Sequence, residues 1–213
     1  YSLPQFDLRM GYKPADFTQV NPFINRAMIT RALGLLEVGP DDRVADLFCG
    51  LGNFSLPLAT QAKELVGIEG SEILTARATA AAKAHGLDQT ATFSTLNLFE
   101  VDVEWLRNLG YFDRILIDPP RDGALAVCQA LAALKAEERP KRIVYVSCGP
   151  TSLARDADIL VHQGGYRLIS AGVVNMFPHT AHVESMAVFE YRPGDPIPEL
   201  LVEEVGEGVA TFS

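Results

Sequence analysis

Apolar residues along the chain follow two alternating patterns. Asn21-Pro22 supplies a capping residue and a first-turn proline. After it Phe23, Ile24, Ala27, Met28, Leu35 and Leu36 recur at helical spacing and predict a helix over residues 22–37. Gly39-Pro40-Asp41-Asp42 breaks that pattern, and the short apolar run 43–49 before Gly50 predicts a buried strand. The alternation then repeats, with strands over 64–69, 91–96, 112–118 and 142–148 and helices over 71–85, 102–109, 124–135 and 152–163. Two extended segments, 166–174 and 183–191, close the series with no helical pattern between them. Apolar strands separated by helices predict an α/β fold. Its sheet should be mostly parallel and seven-stranded, with helices on both faces and an antiparallel hairpin at one edge.

Composition narrows the class. A chain of 213 residues that is 48% hydrophobic and 21% charged can bury a substantial core as one domain, expected over residues 1–192, with an acidic tail over 193–213. No apolar run approaches the roughly 20 residues of a membrane-spanning helix, and the first residues lack a signal peptide's basic and apolar segments. A cytoplasmic protein with no membrane contact is therefore expected. Cys49, Cys128 and Cys148 are odd in number and form no CxxC pair, which argues against a disulfide framework or a bound metal. The net charge of −9 runs against a phosphate-backbone partner, although Asp195, Glu199, Glu203, Glu204 and Glu207 in the tail supply more than half of it.

Open parallel sheets bind ligands outside the carboxyl ends of their strands. The chain places marked residues there. The segment Asp46-Leu47-Phe48-Cys49-Gly50-Leu51-Gly52-Asn53-Phe54 ends the first predicted strand with a Gly-x-Gly turn, and Glu69 ends the next, where a carboxylate can accept both hydroxyls of a ribose. A dinucleotide fingerprint wants a third small residue before its helix, where Ser55 stands with Pro57 following, and the turn together with Glu69 fits an adenosyl ligand. Asp118-Pro119-Pro120-Arg121 forms a rigid loop after a later strand. Cys148 closes the strand 142–148 just before a helix start, whose partial positive charge is expected to lower its pKa. Cys49 and Cys128 read as buried apolar thiols.

These segments resemble the RNA uracil-5-methyltransferase family, in particular its bacterial 23S ribosomal RNA branch. Phe17-Thr18-Gln19-Val20-Asn21, Val66-Gly67-Ile68-Glu69-Gly70, Ser147-Cys148 and Met176-Phe177-Pro178-His179-Thr180-Ala181-His182-Val183-Glu184 complete the set. The resemblance implies a class I methyltransferase fold, Rossmann-like, with S-adenosylmethionine as cofactor and RNA as substrate and no protein partner. It implies that Gln19, Phe48, Asn53, Glu69, Asn97 and Asp118 line the cofactor site, that Gln19, Asp118 and Arg121 approach the target base, and that Cys148 is nucleophile and Glu184 base. Relatives of this branch also carry an N-terminal barrel and a four-cysteine iron–sulfur site. Neither pattern occurs here, so such a cluster is expected only upstream of Tyr1 in a longer chain. Gly149 replaces the family's usual Asn, and both residues tolerate positive φ, so the backbone turn is expected to survive while any side-chain hydrogen bond of the Asn is lost.

The chemistry explains the residue types. Uracil C5 is too weak a nucleophile to take a methyl group unaided, and thiolate addition at C6 makes it electron-rich. A base must then remove the C5 proton so that the thiolate leaves. A transfer RNA substrate, a class I methyltransferase of another substrate and a non-catalytic RNA-binding module remain open at this point. A nicotinamide oxidoreductase lacks an evident hydride-transfer acid.

Overall fold

The computed structural model describes residues 2–3, 6–9, 22–175 and 183–195. Ser2–Leu3 (β1) and Leu8–Arg9 (β2) form a small antiparallel ribbon. The strands of the main sheet are β3 (Arg43–Leu47), β4 (Glu64–Glu69), β5 (Ala91–Thr95), β6 (Arg114–Ile117), β7 (Arg142–Ser147), β8 (Arg167–Asn175) and β9 (Val183–Glu190). Their order is β5-β4-β3-β6-β7-β9-β8, parallel from β5 to β7, with β9 antiparallel to β7 and β8 antiparallel to β9. This is the expected seven-stranded sheet with an edge hairpin.

Alternation along the central strands explains why helices must cover both faces. On β7, Ile143 and Tyr145 join Leu47, Ile68, Ile115 and Ile117 on one face, while Val144 and Val146 join Val44, Leu65 and Leu116 on the other. The first face is covered by α4 (Val103–Leu109), α5 (Leu125–Ala133) and α6 (Pro150–Asp158), and the second by α1 (Pro22–Leu36), α2 (Ser55–Ala59) and α3 (Glu72–Ala84). Caps fix the helix starts. Ser71 accepts from Leu74 N–H at α3, and Asp102 from Trp105 N–H at α4.

Three local features depart from the reading of the chain. The helix expected over 152–163 starts at Pro150, a first-turn proline with its φ already helical, and ends in a π-helical turn, Ile159–Gln163. The strand expected over 43–49 stops at Leu47 because Phe48 turns into the left-handed region at φ 65°. The five-residue α2 is too short to show a period, and all its residues are buried. Gln19, residues 176–182 and most of the acidic tail lie outside the described residues.

Candidate active site at the carboxyl ends of the strands

The turn after β3 is held almost wholly by backbone. Phe48, Gly50 and Gly52 all have positive φ, 65°, 53° and 85°, and for a bulky Phe that is a costly conformation, one found mostly at functional turns. Cys49 N–H donates to the Ile68 carbonyl and Gly52 N–H to that of Cys49. Glu69, at the end of β4, receives Gly50 N–H on one carboxylate oxygen at 3.1 Å and Ser71 N–H on the other at 3.0 Å. That carboxylate therefore joins two loops, and each oxygen retains a lone pair for a ligand hydroxyl.

Beneath the turn lies Asp46, fully buried on β3. Its Oδ2 accepts the Ser55 hydroxyl at 2.5 Å, and its Oδ1 is buried with no partner among the described residues. Burial pushes its pKa up to about 7; the Ser55 hydrogen bond opposes this and the charge of Glu69 adds to it. Cys49 is buried, and burial with the charges of Asp46 and Glu69 raises its thiol, which disfavours the thiolate.

The remaining cofactor candidates border the same turn. The rings of Phe48 and Phe99 pack with centroids 5.5 Å apart, tilted by 59°, and Phe99 is half exposed. Asn97, just past β5, accepts Phe99 N–H on its side-chain oxygen at 3.1 Å, which sets the Phe99 loop. Asn53 pairs its amide with that of Asn25 on α1. Phe48, Asn53, Glu69 and Asn97 thus come together at one end of β3, β4 and β5.

The ends of β6, β7 and β9 carry the other half of the site. Ser147 of β7 faces Ser185 of β9 in the last pair of that ladder, Cys148 and Glu184 are the next residues beyond it, and the charge of Glu184 reaches the Cys148 thiol. Burial raises the Glu184 pKa. Asp118 follows β6, its N–H bonded to the Leu47 carbonyl. Its pKa is raised first by burial, then by the charges of Asp46 and Glu184. Asp118 therefore links the two halves electrostatically.

One expectation about the Cys148 loop is corrected. The Cys148 thiol is raised above its ordinary value rather than lowered. Partial burial and the charge of Glu184 raise it, with a smaller contribution from Asp118, and these outweigh the lowering by Arg121. Gly149 is extended, at φ −125°. Glycine is needed there for space: a Cβ would lie 2.8 Å from Ser152 Oγ and 3.0 Å from the Arg121 carbonyl oxygen.

Sequence reasoning also missed the residues that hold this loop. Ser152 and, one helical turn on along α6, Arg155 and Asp156 grip the backbone after Asp118. Ser152 Oγ donates to the Arg121 carbonyl at 2.8 Å, and the Arg155 guanidinium to that of Asp122 at 2.9 Å. Buried Asp156 accepts Ala124 N–H and the Tyr145 hydroxyl, each at 2.6 Å. The signal in the sequence is a charged residue on the apolar face of α6, and its partners are far away in the chain.

With this geometry in hand, comparisons with known proteins converge. The family model described as tRNA (uracil-5-)-methyltransferase matches residues 3–192. The 23S rRNA (uracil(1939)-C(5))-methyltransferase RlmD of Bordetella pertussis is 71% identical over 190 residues, 89% of this chain and 41% of the relative. The enzyme of that name from Cupriavidus pinatubonensis is 63% identical over 195 residues, covering 90% of this chain and 42% of its own. The chain thus spans about two-fifths of the length of the curated relatives it matches. The crystal structure of Pyrococcus abyssi tRNA (uracil-54, C5)-methyltransferase in complex with S-adenosyl-L-homocysteine superposes with a TM-score of 0.70 at 28% identity, over 86% of this chain and 42% of that one. Thermus thermophilus TrmN, 21% identical with a TM-score of 0.62, shares the fold. The sheet is that of class I methyltransferases, and the chain belongs to the tRNA (uracil-5-)-methyltransferase family.

Proposed function

We propose that this chain is the catalytic part of an enzyme that methylates C5 of a uridine in 23S ribosomal RNA with S-adenosylmethionine, acting in the cytoplasm. The observation that carries the reading is that Cys148 and Glu184 follow directly on the last β7–β9 pair, near enough for the charge of Glu184 to act on the thiol, beside the turn built on Glu69 and Asp46. Identity of 71% to a relative named for 23S rRNA, against 28% to a structure named for tRNA, favours the ribosomal substrate. The acidic balance of the chain is consistent with the principal RNA contacts being made elsewhere in a longer protein.

The residues fit the cofactor. Gly50 and Gly52 let a ligand approach the backbone, and Glu69 can accept ribose hydroxyls. Phe48 and Phe99 offer an apolar flank, while Asn53, Asn97 and, from the motif, Gln19 offer polar groups. Asp46, with an orphaned carboxylate oxygen, and Asp118 are buried acids whose ionised forms a nearby cationic sulfonium or ammonium group would favour. Bound there, S-adenosylmethionine supplies an electrophilic methyl group.

Chemistry then falls to the chain's own residues. Cys148 loses its proton to solvent and its thiolate adds to uracil C6, so that the C5–C6 electron pair moves into an enolate ending at O4. Arg121 favours that thiolate. Once C5 carries the methyl group, Glu184 takes the C5 proton, the C5–C6 double bond re-forms and the C6–S bond breaks. The raised pKa of Glu184 makes it a stronger base for this step. Asp118 and Arg121 border the space the base must enter after leaving its stack.

Glu184→Gln separates these steps. Addition and methylation are expected to proceed and elimination to stall, so the Glu184→Gln variant of the full-length protein, given 23S ribosomal RNA and methyl-labelled cofactor, should accumulate a labelled protein–RNA band that survives denaturing electrophoresis. Adding Cys148→Ser should remove the band. Release of methylated RNA by Glu184→Gln at the wild-type rate would dismiss Glu184 as the base. Labelling of transfer RNA in place of ribosomal RNA would favour the second substrate.

A further inference from the structure

Strands β6 and β7 are parallel neighbours, so the loop carrying Asp118 and Arg121 and the loop carrying Cys148 leave the sheet side by side. The two loops meet backbone to backbone. The Arg121 carbonyl oxygen stands so near Gly149 that a Cβ there would lie 3.0 Å from it. Beside this contact is Ser152, only 9% exposed, in the first turn of α6. Its Oγ is 2.8 Å from the Arg121 carbonyl oxygen and 3.0 Å from that of Gly149, so one hydroxyl hydrogen is shared between the loops. Ser147 Oγ holds the other end of Gly149, accepting its N–H at 3.0 Å. Farther along α6, Arg155 and Asp156 bind the Asp122 carbonyl and the Ala124 N–H, which fixes the far end of the Arg121 loop. Of these three residues of α6, Ser152 is the one that also binds the Cys148 loop.

We propose that Ser152 is a positioning residue for the nucleophile: its shared hydroxyl hydrogen ties the Arg121 loop to the residue after Cys148 and so sets how near the Arg121 side chain stands to the thiol. The inference rests on the reading of Cys148 as the nucleophile. Spacing matters because the charges around the thiol oppose one another. Glu184 from β9 and Asp118 from the loop after β6 disfavour the thiolate, and Arg121 favours it. The attraction of a cation falls with distance, so an Arg121 loop that drifts outward leaves the two carboxylates less opposed. Ser152 touches neither RNA nor cofactor in this scheme and acts through the backbone of the two loops.

The test is the rate at which iodoacetamide alkylates Cys148 at pH 8, read by mass spectrometry, with melting temperature and S-adenosyl-L-homocysteine affinity recorded for each variant. Ser152→Ala should slow alkylation roughly threefold, as loss of one partly screened charge would, and leave cofactor affinity within about twofold of wild type. Ser152→Thr keeps the hydroxyl and should restore the rate. Gly149→Ala crowds the same contact from the other side and should slow alkylation too. Because each variant acts by moving Arg121, Ser152→Ala with Arg121→Gln should be no slower than Arg121→Gln alone. A merely structural role predicts the opposite sign, since a loosened loop exposes the thiol and speeds its alkylation. A Ser152→Ala rate at or above wild type, or slowing that multiplies in the double variant, would overturn the inference. Should Ser152→Ala fail to fold, Gly149→Ala alone and combined with Arg121→Gln decides it in the same way. Single-turnover methylation by the full-length Ser152→Ala protein should fall by the same factor as alkylation. Slowed alkylation with undiminished methylation would leave the spacing role of Ser152 in place and dismiss Cys148 as the nucleophile instead.

Discussion

The two halves of the site are built on different physical terms. At the ends of β3, β4 and β5 the groups are tied to one another: Glu69 bridges two loops by backbone N–H bonds, Asn97 sets its own turn, and Asn53 is paired with Asn25. At the ends of β6, β7 and β9 the backbone is clamped by Ser152, Arg155 and Asp156, but the side chains it presents are held in electrostatic tension. Among the described residues neither Asp118 nor Glu184 draws on a hydrogen bond to settle its charge, and both are raised, as is Cys148. A preformed, internally satisfied half suits recognition of an invariant cofactor. A tense half suits chemistry, because groups whose charge is disfavoured at rest gain most when a substrate rearranges the charges around them.

If that division holds, the largest effects should segregate by half. Cys148→Ser in the full-length protein should lower turnover by roughly a thousandfold or more, since a serine hydroxyl is barely ionised near neutral pH, while cofactor affinity stays within about twofold of wild type. Glu69→Ala should do the reverse at the level of binding, weakening cofactor affinity by about a hundredfold as the ribose acceptor and the Gly50 and Ser71 bonds are lost together. Single-turnover kinetics beside calorimetry reads both. Comparable loss of affinity in the two variants would dissolve the distinction between the halves.

Legibility from the chain follows the same division. The sheet was readable because Val44 to Leu47, Leu65 to Ile68 and Ile143 to Val146 are short apolar runs between amphipathic helices, and β3, β4, β7 and the hairpin fall where those runs lie. Glu69, Asn97 and the glycine turn lie at one edge because the ends of parallel strands share it. Long-range pairing was not readable. Asn25 and Asn53 lie 28 residues apart and look like any two surface amides, and Asp156 reads as a helical carboxylate until the fold sets it beneath Ala124 and Tyr145. The direction of the Cys148 shift was misread for a related reason. The nearby helix start is visible in sequence, but Glu184 arrives from a strand more than thirty positions away.

A middle-sized effect probes the seam between the halves. Asp46 has an ordinary pKa of 3.8 and one of about 7 in the folded chain, so the fold binds a proton that the unfolded chain has lost anywhere between those values. Its contribution to stability is therefore fully present below pH 3.8 and lost as pH rises through 7, a loss of roughly 4 kcal/mol if the whole interval is realised. Asp46→Asn keeps an oxygen for the Ser55 hydroxyl and cannot ionise. Relative to wild type it should gain stability between pH 5 and pH 8 in urea titrations, and saturating S-adenosylmethionine should narrow the gap by stabilising the charged wild-type carboxylate. Equal pH dependence of the two proteins would show that Asp46 is not under strain.

The smallest expected effect tests the tension around Cys148 directly. Only the thiolate reacts with iodoacetamide, so the alkylation rate at fixed pH reports the ionised fraction. With its pKa above the ordinary 9.0, Cys148 in the wild-type chain should alkylate faster with each step of pH from 7 to 9 and show no plateau in that range. Glu184→Gln removes the largest charge that opposes ionisation and should speed alkylation at pH 8 by roughly threefold, a modest factor because the site is partly open to solvent and salt. Arg121→Gln removes the charge that favours the thiolate and should slow it by a similar factor. The two changes pull in opposite directions, which a general loosening of the loop cannot imitate, since greater exposure would speed both. Mass spectrometry assigns the label to Cys148 against Cys49 and Cys128, both buried. An Arg121→Gln rate above wild type, or a Glu184→Gln rate below it, would mean that access rather than charge governs this thiol, and the contrast between a satisfied half and a tense half would lose its electrostatic basis.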